Sequence, residues 1–448
     1  MQAQTLALPS NSSLPKSTLI DLSKTMFMAF YFLFLGNGAL SLTPLATIYG
    51  IFMMASASIS LVFCFFYLPD IFLFKKRFKA IDIISILFCS LTLYSAMSQV
   101  LIFHTKIIKA ILYAGKNYFY TFNIFFFYYL FRARIISPKH YNYAYLIVCW
   151  INLVLYIYLM FTINPALYRD SELVGYNPSK GGYVFNFPAG FIQYGANFYF
   201  LVFVFRKKYW ALAMWAALMA YIIFFDKGRI LAIQTLGAQF AFMFIFTPWQ
   251  TSLRRGFQII LAGIVTIGII WYVQPELLET VFGMFKIFFE MLTGTETGEG
   301  SADSRFLQFA AVFNFLDKHP LAWFTGIGFM PLEERLYRVG YVNPTDTGIV
   351  GILLIFGIIG TILNYLFMTY PLVAFFKIKH FKNNLIYNAA ILSIIMQFIN
   401  SLFTGGFVYI PFSILNIFVL IDIFWREDRI IDYQLKKQKY DESQANST

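Results

Sequence analysis

Residues 304–329 read SRFLQFAAVFNFLDKHPLAWFTGIGF, an amphipathic helix that opens on Arg305, stops near Pro320 and closes on a glycine turn. They lie inside the only long polar interruption of a chain that is otherwise a succession of apolar runs, which they divide into a large group before and a small group after. A helix that presents one cation toward a bilayer surface and then stops abruptly can hold a phosphate at the mouth of a membrane cavity.

The rest of the chain needs lipid as solvent. Its 448 residues are 59% hydrophobic, 21% aromatic and only 12% charged, too apolar to hide in one soluble core. Runs of about 20 apolar residues recur along nearly the whole length, each long enough to cross the hydrocarbon layer as a helix. They carry no period-2 alternation, which excludes a transmembrane barrel. The reading is an all-α polytopic transmembrane helical bundle of twelve spans, near 24–42, 46–68, 81–101, 109–131, 144–164, 187–205, 209–225, 230–247, 256–273, 348–372, 385–404 and 408–425. Residues 1–273 hold spans one to nine, 274–347 form a large, partly helical outer loop, 348–425 hold the last three spans, and 426–448 are a tail.

The net charge of +12 is topological. Lys16 and Lys24, KKRFK (75–79), RARIISPK (132–139), RKK (206–208), Arg254 with Arg255, KIKHFK (377–382) and the C-terminal REDRIIDYQLKKQK hold most of the 34 lysines and arginines and fall on one side of the spans. By the positive-inside rule that side, with both termini, is cytoplasmic. Basic residues scattered between apolar runs exclude nucleic acid as a partner. Cys64, Cys89 and Cys149 lie within apolar runs without metal-like spacing and read as small core or lipid-facing residues.

Two outer connections are long. Residues 165–186, rich in Gly and Tyr, carry Arg169 and Lys180. In the larger loop, 275–292 read as an amphipathic helix along the membrane surface. Residues 293–303 read as a mobile turn ending in the N-cap candidates Asp303 and Ser304, followed by a helix over 305–318.

No Walker A, HExxH, paired GxSxG, CxxCH or metal-spaced cluster occurs, so any chemistry falls to arginines, carboxylates and a histidine. Arg229 begins the eighth span after the turn Asp226-Lys227-Gly228; it reaches lipid phosphates or a cavity, or else snorkels to the interface or pairs with Asp226. Arg305 is a phosphate ligand or an ordinary surface arginine paired with Asp303. Asp346 starts the tenth span, where a carboxylate also serves as a helix cap. His319 is a base candidate that equally suits a helix end. Tyr168, Tyr176 and Tyr183 offer flat faces to sugar rings, or form an interfacial aromatic belt.

Residues 228–239, the stretch 304–329 and TDTGIVGILLIFGIIG (345–360) resemble the corresponding parts of bacterial O-antigen polymerases and O-antigen ligases, integral membrane glycosyltransferases that use undecaprenyl-diphosphate-linked glycans. Span number and one large outer loop before the last three spans extend the likeness over nearly the whole chain. The resemblance implies a polymerase at the periplasmic face of the inner membrane, moving a growing glycan from undecaprenyl diphosphate onto a lipid-linked repeat unit. It places Arg229 and Arg305 on the lipid diphosphate. Arginine suits that task because its planar fork holds two oxygens and stays charged near lipid. Ligases carry a histidine at the entry to the tenth span; NPTDTG (343–348) has none, which leaves Asp346 as the positional candidate for a base.

The expected site is therefore Arg229, Arg305 and Asp346 for chemistry, with Arg169, Lys180, Tyr176, Tyr183, His319, Arg335 and Arg338 binding substrate. No metal or cofactor is implied, since the donor is a lipid. The bilayer, the lipid-linked oligosaccharide and a chain-length regulator are the implied partners. A lipid-linked-oligosaccharide flippase, the other class of reading, should show two related halves, and none is visible.

Overall fold

The computed structural model describes residues 16–36, 38–72, 80–168, 173–177, 182–185, 187–225, 229–273, 275, 300–344, 347–403 and 412–445. A helix occupies each of the twelve apolar runs. They are α1 (Lys16–Gly36), α2 (Ala46–Phe72), α3 (Ala80–Phe103), α4 (Ile107–Arg132), α5 (Pro138–Thr162), α6 (Gly190–Arg206), α7 (Tyr209–Ala220), α8 (Arg229–Phe246) and α9 (Trp249–Val273). The long connection after α9 contributes α10 (Gly300–Lys318), α11 (Pro320–Thr325) and α12 (Leu332–Arg338), and α13 (Gly348–Lys377), α14 (Leu385–Phe403) and α15 (Phe412–Ala445) complete the described chain.

Among the described residues, four helices are long and apolar enough to cross a bilayer: Pro138–Thr162, Trp249–Val273, Gly348–Lys377 and Leu385–Leu402. Helix α9 shows what its solvent must be. Phe257 is 68% exposed, Ile264 60% and Trp271 68%, while only Ser252, Arg255, Gly256 and Ile259 are buried. An apolar face of that extent is untenable in water and ordinary in lipid. The protein is a helical membrane protein.

Helix starts follow local chemistry. Ser137 caps α5 by accepting from His140 N, Pro138 fills the first turn where no N–H is needed, and the His140 ring receives Ser137 N, closing a capping box. His140 Nε2 also lies 3.2 Å from Asp21, tying α5 to α1. The core between α1, α4, α5 and α6 is aromatic: Phe32 packs edge-on against Tyr141 and Tyr145, and Tyr145 meets Phe191 and Tyr194. Cys149 is fully buried there against Gly195, as a small core residue; the side chains of Cys64 and Cys89 lie outside the described residues.

A polar seam crosses this core. Gln239 Nε2 donates to Asn197 Oδ1, Trp215 Nε1 donates to Gln239 Oε1, Asn197 Nδ2 donates to Ser393, and Gln397 donates to Gln193. Paired amides of this kind lock α6, α7, α8 and α14 together, because each would cost far more unpaired in an apolar interior.

Several expectations are corrected. The loop 165–186 contains a short antiparallel hairpin, β1 (Val174–Asn177) with β2 (Gly182–Phe185), which was not expected there; the fold is otherwise the all-α helical one. Helix α10 begins at Gly300, which puts Asp303 and Ser304 inside it rather than at its cap. Pro320 does not merely end a helix; it is the first residue of α11, for which His319 is the N-cap position. Helix α15 runs unbroken from Phe412 to Ala445, so the residues read as the tail are helical as far as position 445. The surface helix expected over 275–292 lies outside the described residues apart from position 275.

Candidate functional site

The segment that closes the quoted stretch is threaded into the bundle. Helix α13 is interrupted at Gly357, where φ is 62° and ψ is −171°. In a continuous helix the carbonyls of Leu354 and Ile355 would serve residues 358 and 359; here Leu354 O accepts from Ile327 N at 2.7 Å and Ile355 O from Gly328 N at 2.8 Å. Helix α3 grips the same segment from its other side. Tyr94 donates to Phe324 O, Ser98 to Thr325 O, Gln99 to Phe329 O, and Ser95 Oγ accepts from Phe329 N. Ile327 and Phe329 are accordingly buried. Non-helical backbone survives in an apolar interior only when its polar groups are satisfied in this way.

Glycine is required at the crossing. A Cβ on Gly357 would lie 2.3 Å from the Phe324 carbonyl, and one on Gly326, φ 68°, would lie 2.2 Å from Ile355 O. The two backbones touch because neither residue has a side chain.

This clasp ties the loop to α3 and to the first half of α13. Near the far ends of α8 and α13, Phe242 and Phe246 pack on Phe375, so the two helices run in the same direction and begin at the same end. Arg229 is the first residue of α8. Gln308 Oε1 on α10 accepts from Asn343 N at 2.7 Å, four residues before Thr347, the N-cap of α13. Arg305 lies one turn before Gln308. The backbone thus brings positions 229 and 305 and the entry to α13 to one end; the side chains of Arg229 and Arg305 lie outside the described residues, as does Asp346.

The other candidates divide. Arg335 is 7% exposed and spends its guanidinium on backbone, Nε donating to Val342 O at 2.7 Å and Nη1 to Met330 O at 3.3 Å. That braces the return of the loop from α12 to α13. Arg338 pairs with Glu334 at 2.9 Å and lies over the Phe103 ring. The His319 ring stacks 4.5 Å from that of Phe315. Tyr176 and Tyr183 are cross-strand partners in the hairpin, and Tyr183 packs against the main core. Arg169 and Lys180 lie outside the described residues.

Glu334 is a group that sequence reading passed over. It holds Arg338 on its own helix and receives Lys109 at 3.3 Å and the Tyr113 hydroxyl, both from α4. Burial by itself raises the pKa of this carboxyl, but the hydrogen bonds from Tyr113, Lys109 and Arg338 together outweigh it and the net shift is downward. A folded-state pKa below the unfolded one makes the contact stabilising above the ordinary carboxylate range, with loss as pH falls through the depressed value. The protection of α12 amides relative to their intrinsic exchange rate at each pH should therefore hold from neutral pH to about 4.5 and fall below it, while Glu334→Gln should be less protected at neutral pH and show no such step. Equal profiles in the two proteins would dismiss the ion cluster as the anchor of α12.

Gln234 on α8 was also missed. It is 8% exposed and both its amide atoms are without a hydrogen-bond partner, five residues inward from Arg229. A lone glutamine inside an apolar run carries no signal that separates it from Gln239, which is fully paired.

No protein-family model matches the chain, and no curated protein sequence matches it.

Proposed function

We propose that the protein is a membrane glycosyltransferase of the O-antigen polymerase type, with twelve spans in the bacterial inner membrane and both termini cytoplasmic. It transfers a growing glycan from undecaprenyl diphosphate to the non-reducing-end hydroxyl of a lipid-linked repeat unit at the periplasmic face. The observation that carries this reading is the folding of the outer loop into the bundle, which brings position 305 to the same end as position 229 and the start of α13. When the sugar leaves its carrier, charge builds on the departing diphosphate, and two guanidinium groups at that end would stabilise it. Arg335 and the α3 row Tyr94, Ser95, Ser98 and Gln99 act as positioning residues that hold the loop in register. Ligase activity fits less well, because residues 343–348 offer no histidine as acceptor base.

One feature favours a second reading. A helix broken inside an apolar bundle is a recurrent device of transporters, so flipping of the lipid-linked oligosaccharide is the competing function. The surface-glycan ladder of a deletion strain separates them: loss of a polymerase leaves a single repeat on the lipid core, loss of a ligase leaves bare core with lipid-linked polymer, and loss of a flippase leaves bare core with neither. Arg229→Ala and Arg305→Lys should each reduce chain growth by about a hundredfold or more at unchanged protein level. Glycan of wild-type length in both variants would remove the assigned roles.

A further inference from the structure

At the opposite end of the bundle, a basic corner is built without a counter-ion. Arg255, near the start of α9, is only 4% exposed. Its Nη1 donates to Gln258 Oε1 at 2.8 Å, its guanidinium lies 5.0 Å from the centre of the Phe203 ring of α6, and its Nε has no partner. Gln258 in turn donates to Tyr209 Oη, the first residue of α7. Around this point stand Arg206, the last residue of α6, Lys207 and Lys208 between α6 and α7, and Arg254. Among the described residues, none of these five cations has a carboxylate within ion-pair distance, and neither 206–210 nor 249–258 contains an acidic residue.

A guanidinium withdrawn from water without an anion is costly. The backbone adds to the demand, since α7 begins here at Tyr209 with no side chain capping it and contributes the positive end of a helix dipole. Trp210, 54% exposed, and Trp249, 66% exposed, mark the level of the membrane interface beside the corner.

We propose that this corner, formed by the α6–α7 and α8–α9 turns, is a binding site for the phosphate of an anionic phospholipid headgroup in the leaflet that faces the basic loops. Arg255 supplies the buried charge, Lys207, Lys208 and Arg254 the exposed charges, and Trp210 and Trp249 rest on the glycerol and upper acyl region. A lipid occupant, rather than free phosphate, accounts for the exposed indoles beside the cations. The site is independent of the glycosyl-transfer reading and would hold for a transporter equally well.

The test uses the full-length protein reconstituted in nanodiscs of phosphatidylcholine alone or with phosphatidylglycerol, scoring phosphatidylglycerol retained on the protein after transfer to detergent and the thermal midpoint. Wild type should retain phosphatidylglycerol and melt higher with it. Lys207→Gln combined with Lys208→Gln, both at exposed positions, should lower retention by about fivefold per cation removed, and Arg255→Gln should lower it further. Lys436→Gln with Lys437→Gln, which removes the same charge from exposed α15, is the control and should retain wild-type levels. Equal loss in the control would reduce the effect to general surface attraction and overturn the site. Full stabilisation by inorganic phosphate in phosphatidylcholine discs would overturn the lipid as occupant, and unchanged retention in the Lys207 and Lys208 variant would overturn the proposal even if Arg255→Gln fails to fold.

Discussion

Gly357→Ala is expected to release the outer loop from the bundle. The new Cβ would sit 2.3 Å from the Phe324 carbonyl and 2.6 Å from Gly326 N, both backbone atoms that cannot swing aside. It would also be held at φ 62° and ψ −171°, a region that side chains enter at a cost of about 1–3 kcal/mol. Adding the overlap, the docked state should lose about 3 kcal/mol or more, equivalent to a hundredfold rise in hydrogen exchange for residues 324–329. The variant has an exit, since a helical conformation at 357 would let α13 run straight, so the bundle should persist while the loop comes free. Gly263→Ala in α9, where nothing lies within 4 Å of the added methyl, is the control and should be neutral or slightly stabilising. If 324–329 stay as protected in Gly357→Ala as in the parent, the clasp does not hold the loop.

The second large effect is expected at Arg335. Arg335→Met keeps the volume and removes the donors to Val342 O and Met330 O, leaving both carbonyls buried and unserved. At about 1–3 kcal/mol for each buried group left without a partner, the loop between α12 and α13 should be destabilised by about 2–6 kcal/mol. Arg335→Lys should recover only part of this, because a single ammonium on a flexible stem cannot span two carbonyls that the planar fork reaches together. Faster exchange confined to residues 330–343 is the expected readout, and under the proposed function glycan chain growth should fall with it. Chain growth lost without any change in exchange would instead mean that Arg335 touches substrate, as its sequence position first suggested.

These two residues mark where sequence reading stops. Arg335 reads in the chain as one more outer-face cation available to an anionic ligand, and only the path of the backbone past Met330 and Val342 turns it into a brace. Gly357 reads as one of several small residues in GIVGILLIFGIIG; nothing in the run distinguishes it from Gly351 or Gly360, which stay helical. The hairpin was hidden for a related reason, since β1 and β2 are four residues each, too short for a period-2 pattern to stand out, and Phe185 of β2 packs on Phe187, which in turn stacks on the distant Tyr156.

What the sequence determined by itself is the set of helices and the solvent they require. Runs of about 20 apolar residues can satisfy their own backbone in lipid only as helices, a local rule that needs no partner, and every one of the twelve runs contains a helix. The placement of the outer loop was decided by tertiary structure alone. Ile327 and Gly328 find their acceptors at residues 354 and 355, and Phe329 finds its partners at residues 95 and 99. Contacts between groups so far apart along the chain depend on how three separately formed helices pack, and composition and periodicity carry no record of them.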